Sequence, residues 1–276
     1  VVEQDRILEF EGLRYHYDDQ GNQVKVAGGD HLQRRDFNAL NQLVTVNHNG
    51  KLAHYEYDAL GRRSKKTTET GVTQFIWQGS KLIGEVTQST YRWYLYQPNS
   101  HAPLMLVMNG VCYFYQNDHL GTPIRMVDLN GKVVWQANYN PQGQASVEVE
   151  GVANPIRFQG QYFDQESGLH YNLARYYDPL IGRFIQPDPI GLLGGINHYQ
   201  YAPNPVMWID TSGLCCEEPN SVVDPKVANS GVVETQVVSN LVTPHVFGSI
   251  TPIKGYASLG FLKTMVSDLT FGIVYG

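Results

Sequence analysis

Residues 55–66 have the sequence YEYDALGRRSKK, and the fold class of this chain can be predicted from their pattern. Two tyrosines flank one variable residue, and side chains at i and i+2 lie on the same face of a β-strand. Asp58 and Gly61 follow at turn spacing, the Asp as a side-chain acceptor and the Gly as a position with positive φ. The stretch therefore predicts a strand that runs into a tight hairpin.

The same pattern recurs along the chain. Aromatic residues followed by Asp and then Gly occur in YHYDDQGNQV from Tyr15, YFYQNDHLGTPIRMVD from Tyr113 and YNLARYYDPLIGRF from Tyr171. Asn-Gly pairs at residues 49–50, 109–110 and 130–131 indicate further hairpin turns. One such unit cannot bury its aromatic face alone, so neighbouring units are expected to stack. Since helical periodicity is nearly absent before residue 215, the predicted fold class is all-β.

Composition limits the functions that fit. The chain has 276 residues, of which 42% are hydrophobic, enough to bury a core of one large or two modest domains. The formal net charge of -6 argues against nucleic-acid binding by this part of the protein. Three cysteines without ligand spacing predict reduced thiols, and neither a metal nor a cofactor is expected. No apolar run is long enough for a membrane-spanning helix.

Two motifs carry a resemblance to a known family. The YxYDxxGR units resemble the YD repeats of Rhs proteins, of the C components of insecticidal Tc toxins and of teneurins. The segment ARYYDPLIGRFIQPDPIGLLGGINHYQYAPNPVMWIDTSGL, residues 174–214, resembles the Rhs repeat-associated core. The resemblance covers roughly residues 10 to 214. It implies a β-hairpin ribbon that spirals into part of a hollow shell, with the core segment turning inward as a C-terminal plug.

This resemblance and a shift in composition predict three regions. Residues 1–158 form a YD-repeat shell segment, residues 159–214 the Rhs repeat-associated core, and residues 215–276 a variable C-terminal effector fragment. The last region loses the aromatic pattern and becomes rich in Val, Ser, Thr and Gly. It shows no catalytic signature of its own. The chain starts at Val1 within patterned sequence, so we expect it to be part of a longer polypeptide.

Asp188 and Asp210 are candidates for paired-carboxylate chemistry. They are separated by glycines and prolines and cannot share one helix or strand, but a chain that doubles back brings them together. Two close carboxylates do not both ionise readily, so one keeps its proton and the other accepts one. Such a pair suits amide hydrolysis, in which the charged carboxylate activates water and the neutral one polarises or protonates the scissile group.

The resemblance assigns roles to these residues. In the family, the core is an aspartyl-type autoprotease that cuts after a DxxGL motif. Asp188 of QPDP and Asp210 of WIDTSGL match its catalytic pair, and the scissile bond would join Leu214 to Cys215. Arg175 matches a third position important for cleavage, where a guanidinium can hold a carboxylate ionised or bind an oxyanion. Thr211 stands where the family often has proline, a departure that concerns the local turn.

Other interpretations stay open. Asp-Pro and Asp-x-x-Gly are also ordinary turn formers, so the alternative is a non-catalytic YD-repeat module for encapsulation or interaction. A thiol attack by Cys215 on the preceding carbonyl is a second route, but GLCCEE supplies no supporting His or Asn. A carbohydrate-binding surface of exposed Tyr and Trp is weaker, because strand alternation already explains the aromatic residues.

Several further side chains are expected to be structural. The histidines, which lack ligand spacing, are expected to satisfy turns or to pack among aromatic rings: His119, His170 and His198. The aromatic residues of the core segment are expected to fill the plug and to position the aspartates: Phe184, Tyr199, Tyr201 and Trp208.

The resemblance also implies partners and a location. The chain's own C-terminal effector segment would be both substrate and cargo, and a cognate immunity protein and secretion-system components, such as those of type VI secretion, would be further partners. Unpaired sheet edges favour a homodimer. The protein would be made in the bacterial cytoplasm and exported or delivered to target cells in bacterial competition.

Overall fold

The computed structural model describes residues 1–216. The predicted effector fragment spans residues 215–276, and its residues 217–276 lie outside the described part of the chain. Two short strands, β1 (Val2–Glu3) and β2 (Arg6–Ile7), pair with each other at the start of the chain.

Fifteen consecutive strands then form one antiparallel meander, in which each strand pairs with the next one along the chain. Its first eight strands are β3 (Glu9–Phe10), β4 (Leu13–Tyr17), β5 (Gln23–Gly28), β6 (His31–Phe37), β7 (Leu43–His48), β8 (Lys51–Tyr57), β9 (Arg63–Thr68) and β10 (Gly71–Gln78). The other seven are β11 (Lys81–Val86), β12 (Tyr91–Tyr96), β13 (Pro103–Met108), β14 (Val111–Asn117), β15 (Pro123–Val127), β16 (Val133–Tyr139) and β17 (Ala145–Glu150). Within the described chain, β3 and β17 are the two ends of this sheet, which does not close on itself.

The Asp-x-x-Gly turns form as the sequence predicts. Asp58 Oδ1 accepts hydrogen bonds from the backbone N–H groups of Leu60 and Arg62, at 2.9 and 3.0 Å. The N–H of Gly61 donates to the carbonyl of Asp58, and Gly61 has a φ of 79°. Equivalent turns occur at Asp18, Asp118 and Asp128. The side-chain acceptor thus closes each turn and returns the chain into the next strand.

Two turns of the same kind were not anticipated, because Asn replaces Asp in them. Asn38 Oδ1 accepts from the N–H groups of Leu40 and Gln42, and Asn140 Oδ1 accepts from the N–H of Gln144. An amide oxygen supplies the same acceptor as a carboxylate oxygen, so the turn tolerates either residue.

The core lies between this sheet and a second one, and aromatic side chains fill much of it. Tyr55 is 2% exposed and Tyr57 packs partly buried on the same face, whereas Glu56 between them points to solvent. This alternation confirms the predicted strand pattern. Buried residues from both sheets join one cluster, including Leu43, Val46, Tyr94, Leu106, Trp135, Tyr162, Leu169, Tyr171 and Tyr176.

The second sheet has four antiparallel strands: β18 (Tyr162–Asp164), β19 (Leu169–Asn172), β20 (Arg175–Asp178) and β21 (Arg183–Phe184). Every residue of β19 and β20 is buried. A 3₁₀ helix, Gly191–Gly194, follows, and in the described residues it is the only helical element. The predicted all-β class is therefore confirmed. The change of sheet falls between Glu150 and Tyr162, while the domain boundaries at 158 and 214 stay predictions.

A buried ion pair joins the two sheets. Arg63 of β9 and Asp164 of β18 pair through Nη1 and Oδ2, and both side chains are fully buried. Lys66 Nζ contacts the other carboxylate oxygen of Asp164 at 2.9 Å. The Arg63 guanidinium also lies over the rings of Tyr171 and Phe75, at 4.5 and 4.6 Å from their centroids. The pair fixes where the second sheet sits on the first.

Over residues 1–216, no helix is long and apolar enough to cross a membrane.

Candidate active site

Arg175, Asp188 and Asp210 meet at one buried point, although they are far apart in sequence. Arg175 begins β20, Asp188 follows β21, and Asp210 lies in the irregular segment that ends at residue 216. Nη2 of Arg175 is 2.9 Å from Oδ2 of Asp188 and 3.6 Å from Oδ2 of Asp210. All three residues are buried, so the fold brings together the pair and the cation that the sequence singles out.

Arg175 is fixed by contacts on several sides. Its guanidinium lies 3.7 Å from the centroid of the Phe184 ring. Nε donates a hydrogen bond to the carbonyl of Gly213, and Nη1 donates to the carbonyl of His198 at 3.1 Å. Burial lowers the pKa of Arg175 to about 10, and the two carboxylates oppose that shift. The residue is therefore still a cation at neutral pH.

Each aspartate forms an Asp-x-x-Gly turn of the kind that builds the long sheet. Oδ1 of Asp188 accepts the N–H of Ile190 at 3.0 Å, and the carbonyl of Asp188 accepts the N–H of Gly191. Oδ1 of Asp210 accepts the N–H groups of Gly213 and Leu214, at 2.8 and 3.2 Å. In both turns Oδ1 serves the backbone and Oδ2 faces Arg175. Turn formation and a chemical role are thus compatible in one carboxylate.

The surroundings of the two carboxylates differ. Asp188 has the shorter contact to Arg175. Asp210 is 0% exposed, and no donor in the described residues hydrogen-bonds to its Oδ2. Burial raises the pKa of Asp210 above its usual range, and Arg175 and the backbone N–H groups oppose this rise. The two carboxylates therefore have unequal surroundings, with Asp188 closer to the cation and Asp210 more deeply buried.

The predicted cleavage point lies within this site. The N–H of Leu214 is bound by Asp210, and the carbonyl of the preceding Gly213 is bound by Arg175. The backbone of Gly213 also packs closely on Asn172 and Arg175, with φ at 70°. The carbonyl oxygen of Leu214 lies close to Gly194, which also contacts the carboxylate of Asp188. The segment before the predicted scissile bond is therefore bound by Asp210 and Arg175 and packs against Gly194.

Four further members of the site were not predicted from the sequence: Ser212, Asn172, Gly213 and Gly194. Ser212 donates to Oδ1 of Asp210 through its backbone N–H and its hydroxyl, and Asn172 Nδ2 donates to the carbonyl of Asp210. Only the Asp-x-x-Gly spacing of residues 210–213 could have indicated the contacts from the turn. The contacts of Asn172 and Gly194 depend on the tertiary fold and left no local signal.

The aromatic residues of the core segment pack as predicted. Tyr201 is 4% exposed, and its hydroxyl accepts the N–H of Asp210 at 3.1 Å. Phe184 supports Arg175, and Tyr199 donates to the carbonyl of Gly21 in the turn between β4 and β5. Trp208 packs partly buried against the cluster that contains Phe184 and Tyr201.

The three histidines that the sequence singles out have other partners in the described residues. His119 Nε2 lies 3.0 Å from the carbonyl of Val206, His170 is buried beside Gln161, and His198 contributes its backbone carbonyl to Arg175. Across residues 1–216, no three His, Cys, Asp or Glu side chains form a group able to hold a metal ion. Cys215 is exposed.

A polar groove of about 740 Å³ lies elsewhere on the molecule. Its lining includes Lys66, Arg92, Arg157, Glu166 and His170, and none of the three site residues. The carboxylate site is thus separate from this groove.

Comparison with known proteins identifies the family. The Teneurin YD-shell family model matches residues 2–206, so this chain belongs to the Teneurin YD-shell family. It is therefore an Rhs/YD-repeat shell protein.

Relatives and solved structures agree with this assignment. The chain is 31% identical to double-stranded DNA deaminase toxin A of Burkholderia cenocepacia over 95% of its length and 22% of that protein. It is 33% identical to toxin protein Tse5 of Pseudomonas aeruginosa over 76% of its length and 19% of that protein. The chain thus spans about a fifth of each of these relatives. The crystal structure of TcdB2-TccC3-Cdc42 has a similar fold, with a TM-score of 0.54 and 19% identity over 73% of this chain and 13% of that one.

Proposed function

We propose that this chain is the C-terminal shell and core of a bacterial Rhs-type polymorphic toxin, and that its core cuts the bond between Leu214 and Cys215. The observation that carries the proposal is the convergence of Asp188 and Asp210 on Arg175, with the segment before the bond bound by the same residues. A buried carboxylate pair with unequal surroundings is suited to acid and base roles in amide hydrolysis.

The two carboxylates have distinct roles in the proposed reaction. Asp188, charged beside Arg175, accepts a proton from water as the water oxygen bonds to the carbonyl carbon of Leu214. Asp210 gives its proton to the carbonyl oxygen, so that a neutral diol forms. In the second step the carbon–nitrogen bond to Cys215 breaks, the nitrogen takes the proton from Asp188, and a diol hydroxyl returns a proton to Asp210. The products are a carboxylic acid at Leu214 and an amine at Cys215, and both aspartates are restored.

The toxin relatives support the wider setting of this reaction. We infer that the shell encloses the C-terminal segment as cargo and that cleavage frees this segment as an effector. The names of the relatives describe a DNA deaminase and toxins, which favours an effector with toxic activity in bacterial competition. Such an effector requires a cognate immunity protein in the producing cell and a secretion system, such as type VI secretion, for delivery. Pairing through the sheet ends β3 and β17 would give a homodimer.

The proposal is tested by intact mass under denaturing conditions. We expect the wild type to separate into residues 1–214 and a fragment that starts at Cys215, and Asp188→Asn and Asp210→Asn to stay whole. Both variants should keep their turns, because Asn already closes equivalent turns at residues 38 and 140. Asp118→Asn is the matched control: it makes the same change in the same type of turn, and it should cleave like the wild type.

Other outcomes favour the alternatives. An intact wild-type chain would support a shell that encapsulates without hydrolysis, in which Asp188 and Asp210 serve their turns alone. Cleavage of all variants alike would point to the thiol of Cys215, and Cys215→Ala should then abolish it. Under the aspartyl proposal, Cys215→Ala is cut at the wild-type rate.

A further inference from the structure

The loop after Asp188 places a glycine against the cleavage point. From Asp188 the chain continues into the 3₁₀ helix Gly191–Gly194. The side chains of Leu192 and Leu193 are 75% and 87% exposed, so they point away from the core. A Cβ atom on Gly194 would instead point inward, toward the site.

Gly194 contacts both the carboxylate and the carbonyl that the proposed reaction uses. A methyl group built on its Cα would lie 2.2 Å from Oδ2 and 2.8 Å from Cγ of Asp188. The same methyl would lie 2.9 Å from the carbonyl oxygen of Leu214. All three separations are well below carbon–oxygen or carbon–carbon van der Waals contact. Neither neighbour can move freely, because Arg175 holds Asp188 and Asp210 holds the N–H of Leu214.

The backbone of Gly194 does not itself require glycine. Gly191 and Gly195 have φ values of 58° and 132°, which side-chain-bearing residues rarely adopt. Gly194 is outside this range. The backbone conformation at residue 194 would allow a side chain. Steric contact with the Asp188 carboxylate and the Leu214 carbonyl is what excludes one.

We propose that Gly194 is a positioning residue for the self-cleavage proposed above, because its lack of a side chain lets the Asp188 carboxylate lie next to the carbonyl of Leu214. This inference rests on the proposed function. Any larger residue displaces the carboxylate from Arg175 or moves the carbonyl away from the attacking water. The turn, the ion pair and the scissile segment can form together only around a glycine.

The test compares Gly194→Ala with Gly151→Ala in the full chain. Gly151 also lies outside the positive-φ range, and a methyl there meets only Val134, at 3.3 Å from its carbonyl oxygen. Cleavage is followed by intact mass over time, and folding by the thermal midpoint. We expect Gly194→Ala to slow cleavage about 100-fold, the effect of a misplacement of about 1 Å at a reacting centre. Gly151→Ala should cut at the wild-type rate and melt like the wild type, whereas Gly194→Ala, which strains the buried Asp188–Arg175 pair, should melt at a lower temperature.

A pH–rate profile separates positioning from general damage. The charged and titratable groups that face Asp210 are Arg175, Tyr201 and Cys216, and Arg175 also pairs with Asp188. A methyl group that pushes the Asp188 carboxylate off Arg175 leaves the guanidinium to Asp210 alone and favours the charged form of Asp210, so the pH above which cleavage slows should fall in Gly194→Ala and stay unchanged in Gly151→Ala. Gly194→Val should be slower still.

Each result has a defined meaning. If Gly194→Ala cuts at the wild-type rate while Asp188→Asn stays whole, this inference is overturned and the proposed function stands. If the wild type does not cut, both fail. If the thermal midpoint of Gly194→Ala falls together with its rate, and the pH profile keeps its shape, Gly194 serves the fold and the positioning role is overturned.

Discussion

At the scale of single residues, the site is built from the turn chemistry of the repeats. Asp58 closes a hairpin with its carboxylate, and Asp188 and Asp210 do the same with Oδ1 while Oδ2 faces Arg175. The sequence alone offers two interpretations of these aspartates, turn formers or catalytic residues. The structure shows that the first does not exclude the second, because the two oxygens of one carboxylate face different partners.

Ser212 provides a prediction about pH. The proposed reaction needs a proton on Asp210, so cleavage slows as pH rises through the raised pKa of that residue. The Ser212 hydroxyl donates to Oδ1 of Asp210 at 3.3 Å and favours its charged form. Ser212→Ala should therefore raise this pKa further and move the alkaline limb of the pH–rate profile to higher pH. Ser64→Ala, which removes an exposed hydroxyl, is the control. A limb that stays in place or moves to lower pH would contradict the assignment of the proton to Asp210.

At the scale of elements, the second sheet depends on long-range polar contacts with the first. Asp164 of β18 binds both Arg63 and Lys66 of β9, and Tyr162 donates to Glu85 of β11. Burial by itself would raise the pKa of Asp164, but Arg63 and Lys66 hold it below the usual value. These contacts set the position of β20, which carries Arg175 into the site.

Removal of the charge on Asp164 should strongly destabilise the packing of the two sheets. Asp164→Asn leaves the buried Arg63 without its counter-ion, and breaking a buried pair in this way costs about 3 to 5 kcal/mol. We expect a much lower denaturant midpoint, followed by tryptophan fluorescence. Glu56→Gln is the control: Glu56 pairs with Lys65 on the surface, with its side chain 59% exposed, and loss of such a pair should cost about 1 kcal/mol or less. Equal midpoints for the two variants would show that the Arg63–Asp164 pair does not hold the sheets together.

At the scale of the whole molecule, buried neutral groups link stability to pH. His170 of β19 is 1% exposed, and its Nδ1 lies 2.7 Å from Oε1 of Gln161. Burial, with the nearby Arg157 adding to it, lowers the pKa of His170 well below its usual value. The folded protein thus keeps this ring neutral at pH values where the unfolded chain protonates it.

The lowered pKa of His170 should make the folded protein less stable as the pH falls. As pH falls below about 6.5, the ordinary histidine pKa, the unfolded state binds a proton that the folded state does not, so the free energy of unfolding decreases. The loss continues until the lowered pKa of the folded state is reached. His170→Gln should reduce this slope between pH 6.5 and 5 by up to about 1.4 kcal/mol per pH unit, measured by denaturant unfolding at each pH. His16→Gln, at an exposed position, should leave the slope unchanged. An unchanged slope in His170→Gln would mean that His170 binds its proton equally well in the folded and unfolded states, which would contradict a lowered pKa.

The amino-acid sequence alone predicts the all-β class, the hairpin turns and the packing of the aromatic pairs, because strand alternation and Asp-x-x-Gly turns depend on residues only a few positions apart. It also singled out Asp188, Asp210 and Arg175, through their place in a recognisable motif. The packing of the two sheets determines that these three residues meet in a buried cluster, that no donor within residues 1–216 hydrogen-bonds to Oδ2 of Asp210, and that Gly194 lies between a carboxylate and a backbone carbonyl. Such contacts join segments up to 38 residues apart, as between Arg175 and Gly213, and their geometry is set by how two sheets pack, for which no local pattern codes.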